Sequence, residues 1–189
     1  MPVGRTTQTT QASDGGPAVP PPLPPDDPEA WYAEDVQAQD EVYPGVVVTI
    51  SRQGDGFHYD VRVPALTGEG EEQLDRITDH FEGAHLQRPL TREGATEIMT
   101  DGFDPKYERV IDQLVDCTTA ARQRITYHAL AELACLGELT PYALDDRIEV
   151  ADTDEDGIVV HTTDYAPALT DLPDEPEFIA RFASERLAR

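Results

Sequence analysis

The chain has 189 residues, with 38 Asp and Glu against 14 Lys and Arg, which gives a formal net charge of −24 at pH 7. Nucleic acid and anionic membrane both require a basic surface, so this charge excludes them as direct partners. Neither an apolar run of about 18 residues nor an apolar N-terminal region occurs. We therefore expect no secretory signal, no transmembrane helix and no direct membrane insertion.

The basic residues are almost all arginine, because Lys106 is the sole lysine and the other 13 are Arg. An acidic chain almost without lysine is typical of proteins from multimolar salt, where a Debye length of about 3 Å or less screens self-repulsion. The composition therefore predicts a halophilic protein, with an ordinary acidic protein as the alternative.

The two cysteines, Cys117 and Cys135, do not form a disulfide framework. They fall in a stretch that we predict to be one helix, in which their separation corresponds to roughly 27 Å, too far for a disulfide. We therefore expect two free thiols in a reducing cytoplasm.

Residues 1–42 are predicted to be a disordered, Pro-rich acidic tail. The segment "PAVPPPLPPDDP" at 17–28 favours extended polyproline II structure and cannot bury a core. Its "PPLPP" motif fits an SH3-like groove, but a spacer is the commoner role of such a segment.

Residues 43–104 are predicted to form a small α/β domain, a hairpin followed by helices. In "YPGVVVTISRQGDGFHYDVRVP" at 43–64, two alternating apolar segments flank the turn "QGDG", as in a β-hairpin. Apolar residues then recur at helical spacing over 69–82 and, more weakly, over 91–99. A two-stranded unit is marginal alone, so we expect the hairpin to pack on these helices.

Residues 105–135 carry the strongest helical pattern and are predicted to be one long central helix, which occupies most of the segment 105–139. Asp104 is the predicted N-cap, and Pro105 is the predicted first helical residue. Gly137 is the predicted stop.

Residues 140–189 are predicted to be a partial second α/β domain. A short helix capped by Thr140 leads into two strands, "RIEVA" and "GIVVH", joined by the acidic turn "DTDEDG", and a helix follows at 174–188. Two strands make a marginal sheet, so we expect an unpaired edge that invites a partner strand or self-association. The predicted fold class is α+β, with a hairpin packed on helices, a long central helix and this incomplete unit.

The sequence contains no recognisable catalytic constellation. Its one lysine lies in "GFDPKYE", which is not the phosphate-binding loop G-x-x-x-x-G-K-[ST]. The turn at 152–157 resembles the first half of a calcium loop, but Thr163 stands where the bidentate Glu is required. His80 and His85 lack the spacing of a zinc-binding helix, and His128 falls on an apolar stripe. We therefore predict no catalytic residue and no metal site.

Two blocks of the sequence resemble the N-terminal region of archaeal type II/IV secretion-system ATPases, the motors of pili and archaella. The first block, "YDVRVPALTGEGEEQLDRI" at 59–77, is similar to a family segment that precedes an amphipathic helix. The second block spans 136–189. The matching residues of the first block are Tyr59, Val61, Pro64, Leu66, Thr67, Glu71 and Leu74. Those of the second block are Gly137, Leu139, Pro141, Leu144, Asp145, Ile148, Glu149, Val160, His161 and Tyr165.

The resemblance implies the non-catalytic N-terminal part of a secretion ATPase, because this sequence has no counterpart of the family's RecA-like motor domain. A truncated gene, a split gene and a paralogue are all compatible with it. The implied partners are secretion ATPase subunits or the membrane platform protein, in a hetero- or homo-oligomer. The implied location is the cytoplasm, at the inner face of the membrane through a partner.

An alternative is one half of a split ATPase, which would use ATP and magnesium only when a separate motor chain completes it. In the resembled family, arginines of the N-terminal half can approach the nucleotide phosphates. Arg181, Arg186 and Arg189 are the nucleotide-edge candidates by location, with solvated surface arginines as the simpler interpretation. A third possibility is a stand-alone acidic domain unrelated to secretion. We expect no cofactor for this chain alone.

Overall fold

The computed structural model describes residues 35–84, 86, 88–89, 91–153 and 157–173. In this part of the chain, five α-helices and a six-stranded mixed sheet confirm the predicted α+β class. The strands are β1 (Val36–Tyr43), β2 (Val46–Gln53), β3 (Gly56–Arg62), β4 (Ile148–Thr153), β5 (Ile158–Thr162) and β6 (Ala168–Thr170). The helices are α1 (Gly68–His80), α2 (Arg92–Asp101), α3 (Pro105–Leu114), α4 (Thr119–Leu133) and α5 (Thr140–Leu144), and a 3-10 turn covers Gly137–Leu139.

The predicted hairpin is confirmed by the antiparallel pairing of β2 with β3. Its turn contains Gly54 at a φ of 59°, in the left-handed region that glycine adopts without strain. Val46, Val48 and Ile50 of β2 are buried together with Tyr59 of β3, which places the apolar side chains of the hairpin in the core.

The predicted tail does not extend to residue 42, because residues 36–43 form β1. This strand pairs antiparallel with β2 and places Asp40 opposite Val48. Pro44 and Gly45 connect the two strands, and Gly45 has a φ of 84°. Pro-Gly is the favoured central pair of a type II turn, so the sequence did contain a turn signal at this point. The proline-rich residues further upstream predicted disorder as far as residue 42, so the strand that precedes this turn was not predicted.

The two predicted helices after the hairpin are confirmed as α1 and α2, and a threonine directly before each helix is its N-cap. The Thr67 hydroxyl oxygen accepts a hydrogen bond from the Gly70 N–H at 3.3 Å. The Thr91 hydroxyl oxygen accepts one from the Gly94 N–H at 3.1 Å. Such caps satisfy amide groups that the first helical turn leaves without a partner.

The predicted single helix at 105–135 is wrong, because the extended linker 115–118 separates α3 from α4. Val115 has φ −117° and ψ 126°, which ends α3. Thr118 then caps α4, since its hydroxyl oxygen accepts a hydrogen bond from the Ala121 N–H at 3.3 Å. A threonine that can cap a new helix competes with continuation of the old one, and apolar periodicity does not record this competition.

The start of α3 follows the prediction, because the Asp104 carboxylate accepts a hydrogen bond from the Lys106 N–H at 2.9 Å. The break after α3 places Cys117 in the linker, so the two cysteines do not share one helix as predicted. Both Cys117 and Cys135 are nevertheless free thiols.

Gly137 and Thr140 differ from their predicted roles. The helix α4 ends at Leu133, and Gly137, with a φ of 60°, begins the 3-10 turn instead of stopping a helix. The Thr140 hydroxyl does not cap α5, because its oxygen accepts a hydrogen bond from the Leu136 N–H at 3.1 Å. This bond holds the end of α4 close to the start of α5.

The six strands lie in the order β1-β2-β3-β6-β5-β4. Neighbouring strands are antiparallel, except that β3 and β6 run parallel with Tyr59 opposite Thr170. The predicted second hairpin is confirmed as β4 and β5. The predicted domain boundary at residue 140 does not divide the sheet, because β6 joins this hairpin to β3. The expected incomplete two-stranded sheet is therefore part of one six-stranded sheet.

In the described part of the chain, β4 is an edge strand, as expected for one of the two predicted strands, whereas β5 is paired on both sides. The edge carries the exposed carboxylates of Glu149 and Asp152, and its register shifts between Ile148 and Val150. Charged side chains and irregular register oppose edge-to-edge pairing. These features disfavour the predicted self-association through this edge.

The core consists of two groups of buried side chains. One group lies between the helices and the sheet and includes Val46, Ile77, Phe81, Met99, Phe103, Ile111, Ile125, Leu130, Leu136, Leu139 and Ile158. The other group consists of Val48, Ile50, Tyr59, Tyr142, Ile148, Val160 and Ala168. Because the second group unites both hairpins with α5, the N-terminal and C-terminal halves of the described chain share one core.

The predicted helix at 174–188 and the centre of the acidic turn, 154–156, lie outside the described residues, as does the predicted tail before residue 35. Of the helices that the structure describes, none combines the length and the apolar character needed to cross a membrane.

Candidate functional site

A buried hydrogen bond joins the two sequence blocks, 59–77 and 136–189, on which the expectation of a secretion ATPase rests. Tyr59 lies on β3 in the first block, and Asp145 follows α5 in the second block. The Tyr59 hydroxyl donates to Asp145 Oδ2 at 2.6 Å. Tyr59 is 0% exposed and Asp145 is 1% exposed, so the bond is sheltered from water. Hydrogen bonds to a charged group are stronger than neutral ones, and this one links segments far apart in the chain.

Arg147 neutralises the buried carboxylate of Asp145. Its Nε donates to Asp145 Oδ1 at 2.8 Å, and its Nη2 donates to Asp145 Oδ2 at 2.8 Å, which is the bidentate geometry of a guanidinium–carboxylate pair. The Arg147 backbone N–H adds a bond to Asp145 Oδ1 at 3.0 Å. The remaining Nη1 donates to the carboxylate of Asp40 on β1. We call Tyr59, Asp145, Arg147 and Asp40 the central network.

The protonation states of the central network follow from burial and these bonds. Burial alone would raise the pKa of Asp145, but the bonds from Arg147 and Tyr59 outweigh it and lower this pKa. Burial, together with the neighbouring Asp145 charge, raises the pKa of Tyr59. The bonds to Asp145 likewise raise the pKa of Arg147. The carboxylate is therefore charged and the phenol neutral across the physiological range.

Side chains around the central network hold it in place. The Tyr59 ring stacks on Tyr142 of α5, with ring centroids 5.4 Å apart. Arg92 at the start of α2 donates to the carbonyl oxygens of Ala143, Asp145 and Ile148. The three acceptors lie in α5, in the connection after it and at the start of β4, so Arg92 fixes this connection at both of its ends.

Two contacts tie β1 to the other end of the sheet. One is the ion pair of Asp40 with Arg147, which precedes β4. The other is a hydrogen bond from the Tyr165 hydroxyl, between β5 and β6, to the Gln37 carbonyl oxygen at 3.3 Å. Since β1 and β4 are opposite ends of the strand order, the sheet curls enough to bring these ends within reach of each other.

The central network is suited to holding the fold rather than to acid–base chemistry. A general acid or base needs a pKa near the working pH and access to a substrate. Asp145 meets neither condition, because its pKa is lowered and its side chain is 1% exposed. Tyr59 is held protonated and wholly buried.

A groove of about 540 Å³ lies beside the central network. Its walls come from β3, α4, α5 and the segment after β6. The lining residues are Val61, Val63, Tyr127, His128, Ala131, Glu132, Gly137, Glu138, Pro141, Tyr142, Asp171, Leu172 and Pro173. Most of them are apolar or aromatic, and the carboxylates of Glu132, Glu138 and Asp171 are exposed. We call this feature the acidic groove; its volume is in the range of about 300–1,000 Å³ typical of ligand pockets.

The polar residues of the acidic groove differ in how they are bonded. His128 Nε2 donates to the Pro64 carbonyl oxygen at 2.6 Å, so this ring nitrogen has its hydrogen-bond partner within the chain. Asp171 contacts His58 Nε2 at 3.1 Å. Within the described part of the chain, Glu132 and Glu138 form no ion pair through their side chains. Two exposed carboxylates at this groove are therefore available to a cationic group.

The other sites considered from the sequence carry no assembled chemistry in the described residues. No group of three or more His, Cys, Asp or Glu side chains there is placed to hold a metal ion. Burial raises the pKa of both the Cys117 and the Cys135 thiol, which disfavours the reactive thiolate. Arg181, Arg186 and Arg189, the nucleotide-edge candidates, lie outside the described residues.

Sequence reasoning did not identify the central network or the acidic groove. Asp145 was one of the residues that carry the resemblance, but "LDDR" offers two adjacent aspartates and does not show which one is buried. The groove depends on the tertiary packing of α4 against β3 and α5, which no local pattern encodes.

Comparison with models of known protein families finds no match, and comparison with curated proteins finds no relative.

Proposed function

We propose that this chain is a non-catalytic interaction module of a type II/IV secretion ATPase assembly, which contacts ATPase subunits or the membrane platform protein. The observation that carries the proposal is the buried bond between Tyr59 and Asp145. The two blocks that resemble the family are 86 residues apart at this pair and meet in one core.

The positions that carry the resemblance support a structural rather than a chemical role. Thr67 caps α1, and Gly137 supplies the positive φ that begins the 3-10 turn. Leu139 and Ile148 are buried at 2% and 3% exposure. Side chains used in this way build a rigid body, and a rigid body is what a module needs to transmit force between partners.

The proposal assigns no ATP hydrolysis and no cofactor to the chain by itself. The sequence has no P-loop, and its one lysine, Lys106, is followed by Tyr107 instead of the Ser or Thr that binds magnesium in that motif. ATP and magnesium would enter only through a separate motor chain. On this proposal the chain works in the cytoplasm and reaches the membrane through its partner.

Crosslinking in living cells tests the proposal. The full chain, carrying an affinity tag, is crosslinked, isolated and analysed by mass spectrometry with residue-level assignment. We expect crosslinks to a protein with a RecA-like P-loop domain of the secretion type or to a polytopic platform protein. Crosslinks confined to copies of this chain or to proteins of other kinds would contradict the proposal. Isolated complexes whose ATP hydrolysis disappears on Arg181→Ala, Arg186→Ala or Arg189→Ala would favour the split ATPase instead.

A further inference from the structure

The acidic groove lies where the described chain stops, at Pro173, which is itself one of its lining residues. The residues that follow in the sequence are 174–189. From 178 to 189 they contain three arginines and one glutamate, a net charge of +2, in a chain of net charge −24. The same twelve residues include the large apolar side chains Phe178, Ile179, Phe182 and Leu187.

The composition of residues 178–189 complements the groove. The groove has an apolar and aromatic floor, to which Val61, Leu172 and Tyr142 contribute, and it carries the exposed carboxylates of Glu132 and Glu138. Burial of apolar side chains stabilises a contact by about 25 cal/mol per Å². Arginine pairs well with a carboxylate, because its guanidinium matches the carboxylate geometry.

We propose that residues 178–189 dock in the acidic groove of their own chain, with their arginines paired to Glu132 and Glu138. Residues 174–177, which carry the carboxylates of Asp174, Glu175 and Glu177, serve as the connection and are not part of the docked segment. The covalent connection makes this occupant favoured over a free peptide. Phe178 is five residues beyond Pro173. A fully extended connection of this length spans up to roughly 17 Å, which is enough to reach across the groove. Because the connection is short, the effective concentration of the segment at the groove is on the order of millimolar.

Docking gives the three arginines a role that is independent of nucleotide. Arg181, Arg186 and Arg189 would serve the contact between this segment and the groove, and this inference does not require the secretion proposal. It also accounts for the two exposed carboxylates of the groove, Glu132 and Glu138, that have no ion-pair partner in the described residues. Docking covers the apolar floor, which would otherwise be open to water.

Amide hydrogen exchange on the full chain tests the docking. The groove variant carries Glu132→Arg and Glu138→Arg. The control variant carries Glu97→Arg on α2 and Glu149→Arg on β4, which are exposed, lie outside the groove and change the net charge equally. We expect exchange of residues 178–187 in the wild type to be slower than in a free peptide of the same sequence by about tenfold or more. The groove variant should lose this protection, and the control variant should keep it.

A charge exchange separates a specific contact from a folding defect. Adding Arg181→Glu and Arg186→Glu to the groove variant should restore at least part of the protection, because the paired charges are then reversed on both sides. Exchange in β2 should remain slow in all variants, which shows that the core is intact.

Three outcomes would overturn the docking. In the first, residues 178–187 of the wild type exchange as fast as the free peptide. In the second, the groove variant and the control variant lose protection equally. In the third, the charge-exchanged variant recovers no protection. Protection that disappears on dilution would show that a second copy supplies the segment, and it would likewise overturn docking within one chain.

Discussion

The Tyr59 hydroxyl and the Asp145 carboxylate, 86 residues apart, lie 2.6 Å from each other with both side chains buried. Arg147 completes the pair by binding both oxygens of the carboxylate. A charge-assisted bond thus joins the N-terminal hairpin to the segment before β4, within the group of buried side chains that includes Tyr59 and Tyr142. The stability of the whole fold should depend on this carboxylate more than on any exposed one.

Replacement of the central carboxylate should destabilise the protein strongly. Asp145→Asn removes the buried charge, whereas Arg147, whose side chain is 26% exposed, keeps its pair with Asp40. Removing one member of a fully buried pair costs about 3–5 kcal/mol, so we expect a loss of about 2–3 kcal/mol for this half-buried pair. Asp146→Asn is the matched control, because this neighbouring side chain is exposed and should change the free energy of unfolding by less than about 0.5 kcal/mol. Chemical denaturation of both variants measures the difference. Equal effects of the two substitutions would contradict the assigned role of Asp145.

The same carboxylate should produce a loss of stability in acid. The pKa of Asp145 is lowered in the folded state, so its contribution is complete above the unfolded value of about 4 and is lost as pH falls through the lowered pKa. Denaturation at a series of pH values below about 5 should show this loss in the wild type and a smaller one in Asp145→Asn. An identical acid dependence in both proteins would show that other carboxylates account for it.

Buried tyrosines should make the protein sensitive to alkali. Burial raises the pKa of Tyr59, Tyr127 and Tyr142, so in the folded state these phenols keep their protons above pH 10, whereas the unfolded chain releases them. Each such group lowers the free energy of unfolding by about 1.4 kcal/mol in total between pH 9 and 11, because its unfolded pKa of about 10 lies in the middle of this interval. The three groups together therefore lower it by about 4 kcal/mol over these two pH units. Denaturation between pH 9 and 11 measures the slope, and Tyr142→Phe should reduce it by about a third. A free energy of unfolding that does not change between pH 9 and 11 would refute the prediction.

The first strand should be required for folding, and the residues before it should not. Tyr43 at the end of β1 donates to the Met99 carbonyl oxygen at 2.6 Å, and Asp40 pairs with Arg147. A chain that begins at residue 35 should therefore unfold at nearly the same denaturant concentration as the full chain. A chain that begins at residue 44 lacks β1 and should be partly unfolded or much less stable. Equal stability of the two shortened chains would contradict the place of β1 in the sheet.

Folding should depend on salt because of the net charge of −24. Screening of self-repulsion is strong at about 3 M KCl and weaker at about 0.1 M, where the Debye length is about 10 Å. Circular dichroism should therefore show a lower melting temperature, or loss of helix, at the lower concentration. Equal melting temperatures at both concentrations would favour the ordinary acidic protein over the halophilic one.

Local patterns predicted those elements whose ends are marked by specific residues. The turn "QGDG" and the alternation around it placed β2 and β3, and Thr67 caps α1 in the segment where a helix is predicted. The strands β4 and β5 were likewise found from their apolar residues. In these cases the local preference and the tertiary environment agree, so a reading of short segments suffices.

Other features depend on contacts between distant residues and were missed. The helical pattern of 105–135 continues through the linker 115–118, and only the capping bond of Thr118 shows that a new helix begins. The short strand β6 has three residues, yet it joins two hairpins into one sheet, and nothing in "ALT" indicates this pairing. The central network and the acidic groove exist only where β3, α4 and α5 meet.

The central claim, that this chain acts by binding a secretion partner and not by turnover, is tested most directly by sedimentation velocity. The full chain is mixed at high salt with the P-loop motor subunit of the secretion ATPase from the same cells, and each protein is also run alone. The account predicts a boundary that sediments faster than either protein and contains both, while the chain alone hydrolyses no ATP. Free sedimentation of the chain at every ratio, both with the motor subunit and in a parallel run with the purified platform protein, would contradict the claim, as would ATP hydrolysis by the chain alone.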